Sequence, residues 1–318
     1  KTPFVYKPRT KSVYSDIDYM LLGFIIEKVC GNSLDKYVKE HIYEPLHLNY
    51  ICYEPLKNRF KKKDIAATEI EAVKRSNEKK YKKEKYMPIH GTVHDPEAYG
   101  AMDQVSGHAG LFANAESIAV LAQVILNGGG YGTVKLFDSH VLDFFTSPHI
   151  EISAAGLGWR RQGAAQTYSH FFSQLASQDA FGHSGWTGTL TLIDPQEDLI
   201  VIIFTSAKNT FTLNGKKLRG KYEGDFYLAK NYGAITTLIY SAFKNYSDEI
   251  LDNMLIELAE QRYSLIAGGS EFYNNPGFYN DLTSIMDTIK IQSTHSETLN
   301  SFLGSDSAAA ITEKLSSL

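Results

Sequence analysis

Cysteine is nearly absent: Cys30 and Cys52 are the only two in 318 residues. Two thiols do not make a disulfide framework, which excludes a small stapled scaffold. Cys30 falls in an apolar helical stretch, where a buried free thiol is expected. Long apolar runs are missing too. No stretch of about 18 apolar residues occurs, so no membrane-spanning helix is predicted. Charge of one sign is scarce, at −4 net from 32 basic and 36 acidic residues, and the overall balance carries no nucleic-acid footprint. The chain has no evident secretion signal and opens Lys1-Thr2-Pro3-Phe4 without an initiator Met, so a truncated or processed start is expected.

What remains is a chain of ordinary globular composition, 43% hydrophobic and 21% charged, long enough for one large domain or two modest ones. Residues 16–30 form the clearest helix. Ile17, Met20, Leu21, Phe24, Ile25 and Val29 recur at helical spacing, and Gly31 stands where the helix should stop. Gly23 inside it predicts close packing against another backbone. A second helix should start at Asn32 or Ser33 and end before Pro45. A third should run from Asn114 to Leu126 and stop at Gly128-Gly129-Gly130. Gly156 to Arg160 is strand-like. Thr187–Ile193 and Leu199–Phe204 flank Asp194–Asp198 as a hairpin, and the second run, lacking alternation, reads as a strand covered on both faces. Antiparallel central strands with helices on either side are the architecture this predicts.

Two segments differ in character. Residues 57–87 hold twelve Lys/Arg against five Asp/Glu, a run expected to be a solvated surface excursion, with a partner-binding or membrane-surface patch as the alternative. After residue 246 the pattern changes again. Asp248–Leu265 reads as an amphipathic helix, and the last twenty residues are rich in Ser and Ala. The expected division is therefore a domain over 1–246 and a helical extension over 247–318.

The candidates for chemistry lie in three clusters. Tyr14-Ser15-Asp16 precedes the first helix. A phenol, with a reference pKa of about 10, is a poor base unless a cation lies beside it. Next to an ammonium it can take a proton from a hydroxyl and return one to a leaving group. The plainer alternative is that Tyr14 is one of 20 tyrosines and Asp16 caps the helix. His183-Ser184-Gly185-Trp186 stands at the start of the predicted strand. Gly185 leaves room for an extended substrate along the strand edge, and the Trp186 N–H is a candidate for half of an oxyanion hole. His183 is a switchable cation or a proton carrier, or else a strand-edge histidine bonded to a carbonyl. The third cluster is Gly91–Pro96 with Ser106–Phe112, where glycine density leaves an open wall and His94 and His108 are candidate substrate-lining groups. His90 and His94 make a zinc pair only on a helix, which Pro88 and Gly91 oppose.

In order along the chain, these blocks resemble the serine β-lactamase and penicillin-binding-protein superfamily, and within it the class C β-lactamase-like serine hydrolases. Tyr14-Ser15-Asp16 with Tyr19–Glu27 resembles the Tyr-x-Asn motif and its helix. Ile65–Glu69, Val93-His94-Asp95 and Gly107–Phe112 follow in the family order. Phe181–Thr189, with Asp194-Pro195, resembles the Lys-Thr-Gly strand in a His-x-Gly form. The resemblance covers about residue 6 to about residue 244. It implies an α+β fold, with a central antiparallel sheet between helices and a mostly helical subdomain. It also implies acyl transfer through a Ser ester to water. Tyr14 would then be the general base or acid, Asp16 would contact a Lys, and His183, Ser184, Gly185 and Trp186 would line the substrate strand. No metal or cofactor is expected. The substrate would be a small peptide, ester or β-lactam-like molecule, and a periplasmic or cell-envelope site is implied.

Two departures stand out. His183 replaces the Lys of Lys-Thr-Gly, which weakens a permanent cationic site and argues against β-lactam hydrolysis. The Ser-x-x-Lys nucleophile motif, which should precede Tyr14, is not there. Ser33/Lys36, Ser76/Lys79 and Ser241/Lys244 have the spacing but lie on the wrong side of Tyr14. The expected protein is a DD-carboxypeptidase, D-aminopeptidase or esterase whose nucleophile lies outside this chain. Its fold should expose an unpaired strand and core helix faces, open to self-association at the sheet edge. The alternatives are a non-catalytic cell-wall-peptide-binding protein of the same fold and a basic adaptor working through residues 57–87.

Overall fold

The computed structural model describes residues 6–8, 10, 13–69, 88–148, 155–163, 169–210, 221–226, 230–244 and 253–254. The chain divides into two units, Lys1–Tyr168 with Ala176–Phe204, and Ser169–Leu175 with Thr205–Leu318. The boundary expected after residue 246, the helix expected over Asp248–Leu265 and most of the lysine-rich excursion, from residue 70 to 87, lie outside the described residues.

The first unit begins with α1 (Asp16–Cys30), which ends at Gly31 in the left-handed region (φ 68°), its N–H bonded back to the Glu27 carbonyl. Next comes α2 (Leu34–Val38), widening into a π turn over Lys39–Tyr43 ahead of Pro45. The joint between these helices is closed by side chains. The Glu27 carboxylate accepts the Leu34 N–H at 3.0 Å, and the Asn32 side chain accepts the Ser33 N–H at 3.0 Å. Short strands follow as β1 (Ile51–Cys52), β2 (Ala67–Glu69), β3 (Ile89–His90) and β4 (Phe112–Ala113), paired antiparallel as β1 with β4 and β2 with β3. Between β3 and β4 lies α3 (Pro96–Ala101), capped by Asp95 with Pro at its first position, as helix starts favour. Then α4 (Ala115–Leu126) is capped by Asn114, whose side chain accepts the Ser117 N–H at 2.9 Å. The hairpin of β5 (Gly130–Tyr131) and β6 (Val134–Lys135) and the helix α5 (Ser139–Thr146) complete this stretch.

The central sheet is built from β7 (Arg160–Arg161), β8 (Phe181–Gly185), β9 (Thr189–Asp194) and β10 (Leu199–Phe204), in the order β10-β9-β8-β7. All of its neighbours are antiparallel. The expected hairpin is present, in register from Leu199 opposite Asp194 to Phe204 opposite Thr189. Against it packs α4: Ala122, Ile125 and Leu126 meet Phe181, Ile193 and Ile200, and Trp159 lies edge-on to Phe181 at 5.3 Å. The architecture is α+β, as expected.

Three local expectations change. His183 does not open the Thr187–Ile193 run; it lies inside β8, a separate strand. Trp186-Thr187-Gly188 form a tight turn, closed by the Gly188 N–H on the Gly185 carbonyl. A hydrophobic run does not announce a reversal placed within it by Gly185 and Gly188. Secondly, β10 has cover on both faces, as expected, with Val201 buried on one and Ile200 packed toward α4 on the other, but it is not an inner strand. It is an outer strand of the described sheet with only Val201 buried, while β9 buries Leu190 and Leu192 on one face and Ile193 on the other. Thirdly, Cys30 is exposed rather than buried. The reason is α1 itself: Ile17, Leu21, Phe24, Ile25 and Val29 are each at least half exposed, and Gly23 alone is buried. The periodicity set the helix, but among the described residues its apolar stripe has no cover.

Gly23 does meet another backbone, as its position in the helix predicts. The Gly107 backbone lies across α1, and a Cβ built on Gly23 would sit 3.4 Å from the Gly107 nitrogen. A Cβ on Gly107 would collide with the Tyr19 carbonyl. In the second unit, α6 (Ser169–Phe172) packs on α7 (Tyr232–Lys244) with the Phe171 and Tyr232 rings stacked at 6.3 Å. There the buried Lys208 ammonium bonds both oxygens of the buried Asp225 at 2.6 and 2.8 Å. The Gly107→Ala variant is expected to lose about 1–3 kcal/mol of stability, the cost of forcing a methyl into a filled space. A lowered denaturation midpoint in urea checks this, and an unchanged one would show that the loop shifts freely.

Candidate active site

Tyr14 comes two residues before α1. Ser15, in extended conformation (φ −149°, ψ 130°), takes the N-cap position, so Asp16 is the first helical residue and not the cap. With Asp18 it places acidic groups in the first turn, where the helix dipole favours them. The Tyr14 ring faces the His183 ring, with centroids 6.0 Å apart and planes inclined by 25°. The start of α1 and the β8 strand thus meet at one place, although far apart in sequence. A third side chain joins them: the Arg160 guanidinium carbon lies 5.6 Å from the Tyr14 ring centroid, within cation–π range.

His183 is constrained by its backbone. Nδ1 lies 2.8 Å from the Ser184 carbonyl oxygen, which can only accept, so Nδ1 carries the proton and the neutral ring presents Nε2 as an acceptor. Burial pushes its pKa below the usual histidine value, the Arg160 guanidinium adds to this, and the bond to Ser184 opposes it. A neutral imidazole with Nε2 as an acceptor suits a proton carrier better than a permanent cation. Beside His183, β7 pairs with β8 only at Gly182 and Phe181, so on that side residues 183–185 face no strand among the described residues. Ser184 and Gly185 border this open edge. Trp186 projects from the turn, with 64% of its surface exposed, and Tyr14 is 69% exposed. Two hollows of the described surface lie beside α1 near Ser33 and Lys36 and beneath Gly107.

The two other expected substrate-lining histidines are turned inward to acids. His108 Nδ1 lies 2.7 Å from Ser106 Oγ and its Nε2 2.9 Å from Asp95 Oδ1, with the side chain 4% exposed. Asp95 also holds the Ala98 N–H at the start of α3. Tyr53 donates its hydroxyl to the Ser106 carbonyl at 3.0 Å. His94 Nε2 lies 2.6 Å from the buried Glu69 carboxylate, and His90 Nε2 lies 2.6 Å from the Ile65 carbonyl. These bonds hold the loop that supports α1, so His94 and His108 stand behind the site wall. His90 and His94 have separate partners, and no group of three metal-ligating residues occurs among the described residues. Of the Ser-x-x-Lys pairs, Ser33 is the N-cap residue of α2, Ser241 bonds the Leu238 carbonyl inside α7, and Ser76 lies outside the described residues.

Sequence inspection missed Arg160. It stood in a strand-like stretch beside Gly158, and only the pairing of β7 with β8 brings it to His183. Tyr19 was seen only as part of a helix. It backs the site from the first turns of α1, and burial raises its phenol above the ordinary value.

With the geometry in place, comparison with known proteins decides the lineage. The family model described as Beta-lactamase matches residues 1–220. The chain belongs to the β-lactamase family. Its similarity to N-acetylmuramyl-L-alanine amidase of Bacillus subtilis is 42% identity over 244 residues, 77% of this chain and 55% of the relative. A relative in Escherichia coli K12, provisionally named D-alanyl-D-alanine carboxypeptidase, is 42% identical over 244 residues, 77% of this chain and 56% of that protein. The chain therefore spans about half the length of the curated relatives it matches. Among solved structures, a mutant of simvastatin synthase from Aspergillus terreus shares the fold at a TM-score of 0.51 and 15% identity, over 77% of this chain and 58% of that one.

The His183 environment makes a direct prediction for this β-lactamase-family chain. An NMR titration should place the His183 pKa below the free-histidine value of about 6.5. The Arg160→Gln variant should raise it part of the way back, since burial remains. A group neutral in the fold but charged when unfolded costs stability as pH falls below about 6.5. A value at or above that of free histidine in the wild-type chain would contradict the burial and the charge contact together.

Proposed function

We propose that the complete protein is a serine hydrolase of the penicillin-recognising type, acting by acyl-enzyme transfer on a peptide, amide or ester. The observation that carries this is the face-to-face placement of Tyr14 and His183 at the open end of β8. A serine Oγ attacks the substrate carbonyl and forms an ester. Tyr14 takes the serine proton and passes it to the departing group, and water then cleaves the ester and restores the hydroxyl. Asp16 holds the lysine of the nucleophile motif. His183 keeps a proton acceptor at Nε2 within the same groove, and the Trp186 N–H polarises the acyl oxygen. Ser184 and Gly185 give an extended substrate a backbone edge to lie on. DD-carboxypeptidase, D-aminopeptidase and esterase activities fit this groove, and β-lactam hydrolysis fits less well. The names of the two bacterial relatives support a substrate from cell-wall peptide chemistry.

The nucleophile lies outside the 318 residues, and this chain alone is inactive. The polypeptide that carries the nucleophile would also cover the exposed stripe of α1 and the outer edge of β10. Without it, those surfaces favour self-association. The second reading, a cell-wall-peptide-binding protein without turnover, draws support from one observation: the serine of each described Ser-x-x-Lys pair has a helix role, Ser33 at the N-cap of α2 and Ser241 bonded to the Leu238 carbonyl.

A fluorescent penicillin or phosphonate is expected to leave this chain unlabelled and to label a version extended upstream through a Ser-x-x-Lys motif. In that extended form, Tyr14→Phe should slow acylation by about 10²–10⁴-fold, the usual share of a general acid–base group. Covalent labelling of the 318-residue form would overturn the placement of the nucleophile. Failure to label the extended form would favour the binding protein.

A further inference from the structure

Charge is unevenly placed along the chain. Outside residues 57–87 it holds 20 basic and 31 acidic residues, so the surplus of positive charge is confined to one run. The first part of that run is described, and it folds as an ordered loop of the first unit. The loop leaves β1 at Tyr53, whose hydroxyl holds the Ser106 carbonyl, and Pro55 is fully buried at its base. Two turns shape it: the Lys57 N–H bonds the Glu54 carbonyl at 2.9 Å, and the Asp64 N–H bonds the Lys61 carbonyl at 2.8 Å. The Asn58 side chain ties back to the Tyr53 and Glu54 carbonyls. On this frame Lys57, Arg59, Lys61, Lys62 and Lys63 are all exposed, against Glu54 and Asp64 as the acids of residues 50–64.

Aromatic rings stand among these cations. Tyr50 is 59% exposed, and the Arg59 guanidinium lies over both the Tyr50 and Phe60 rings, 5.5 and 5.2 Å from their centroids. The rings are engaged with a cation and make poor platforms for stacked bases, the device by which single strands are held. Arg59 also donates to the Asn49 carbonyl and Lys57 pairs with Glu54, so neither is reserved for one small anion. A cluster of about four to eight basic residues beside an exposed phenol fits another partner, a plane of anionic headgroups, where cations stay hydrated and tyrosine sits at headgroup level. The acidic remainder of the chain favours a plane over a flexible polyanion. A flat surface can approach the basic loop alone, whereas a wrapping polymer would also meet the charges that repel it. We propose that residues 57–63, with Tyr50, are a docking surface for anionic lipid bilayers, through which the protein binds a membrane peripherally and reversibly. This inference does not rest on the hydrolase reading.

The test is co-flotation of the 318-residue chain with phosphatidylcholine vesicles containing about one third phosphatidylglycerol, beside vesicles of phosphatidylcholine alone. Only the anionic vesicles are expected to carry the protein at about 0.1 M salt, and they should release it near about 1 M, where the Debye length has fallen from about 10 to about 3 Å. Each basic residue near such a surface is worth about fivefold in partitioning, so Lys61→Gln, Lys62→Gln and Lys63→Gln together should weaken binding about a hundredfold. Removing the same charge from the exposed Lys28, Lys36 and Lys39 by substitution to Gln should change it little. Circular dichroism checks that both triple variants fold, and Lys62→Gln alone, with its expected loss of about fivefold, decides if one does not. Absence of the protein from the anionic vesicles, unchanged binding after the substitutions at 61–63, or an equal loss in both triple variants overturns the proposal. A fluorescent single-stranded oligonucleotide is the competing ligand: tighter binding of it than of vesicles, through the same lysines, would assign the surface to nucleic acid and overturn the proposal as well.

Discussion

The Gly107 backbone lies against α1 so closely that the Tyr19 carbonyl fills the space a Cβ would need, with Gly23 opposite. The position of Tyr14 depends on this contact together with the joint to α2, where the Glu27 carboxylate accepts the Leu34 N–H. The apolar stripe of α1 faces outward, so hydrophobic burial does not fix the helix on that side. The loop is in turn made rigid by polar groups: Ser106, His108 and Asp95 form a chain of hydrogen bonds that ends at the α3 cap, and Tyr53 braces the Ser106 carbonyl. Buried bonds of this kind cost more to leave unmade than they add when formed, which is why they hold a loop to one geometry.

The other wall is held by packing. Phe181 sits in the core between α4 and the sheet, and His183 follows two residues later on the same strand. A ring anchored in this way has little freedom to leave its partner. The electrostatics then follow from place. His183 is desolvated and beside a guanidinium, so it is driven toward its neutral form, and the fixed charge passes to Arg160. A neutral imidazole and a fixed cation thus stand side by side at this place.

Much of the scaffold was legible from local pattern. Gly31, Asn114 and the glycines after Leu126 stand at helix ends because a helix terminus must satisfy its own backbone groups with nearby residues. The β9–β10 hairpin was equally plain, as its two apolar runs flank a polar turn. Tyr14, Ser15 and Asp16 were visible as a motif, though not which of them caps the helix. Less legible were properties that depend on what covers a surface. Cys30 looked buried by composition and is not, because apolarity records what a residue would bury against, and the described residues do not supply the cover. His94 and His108 looked like substrate-lining groups, yet Glu69 and Asp95, distant or non-adjacent in the chain, claim their nitrogens.

The chain's own order of residues determined its α1, α4 and β9–β10 elements, the family blocks and the identity of the groups at the two motifs, because capping, periodicity and spacing act over a few residues. Tertiary structure alone decided that Tyr14 faces His183, that His183 is neutral with its proton on Nδ1, and that Arg160 joins them. Each of these depends on pairing or approach between segments well separated in sequence, and desolvation and Coulomb fields arise only once those segments have met.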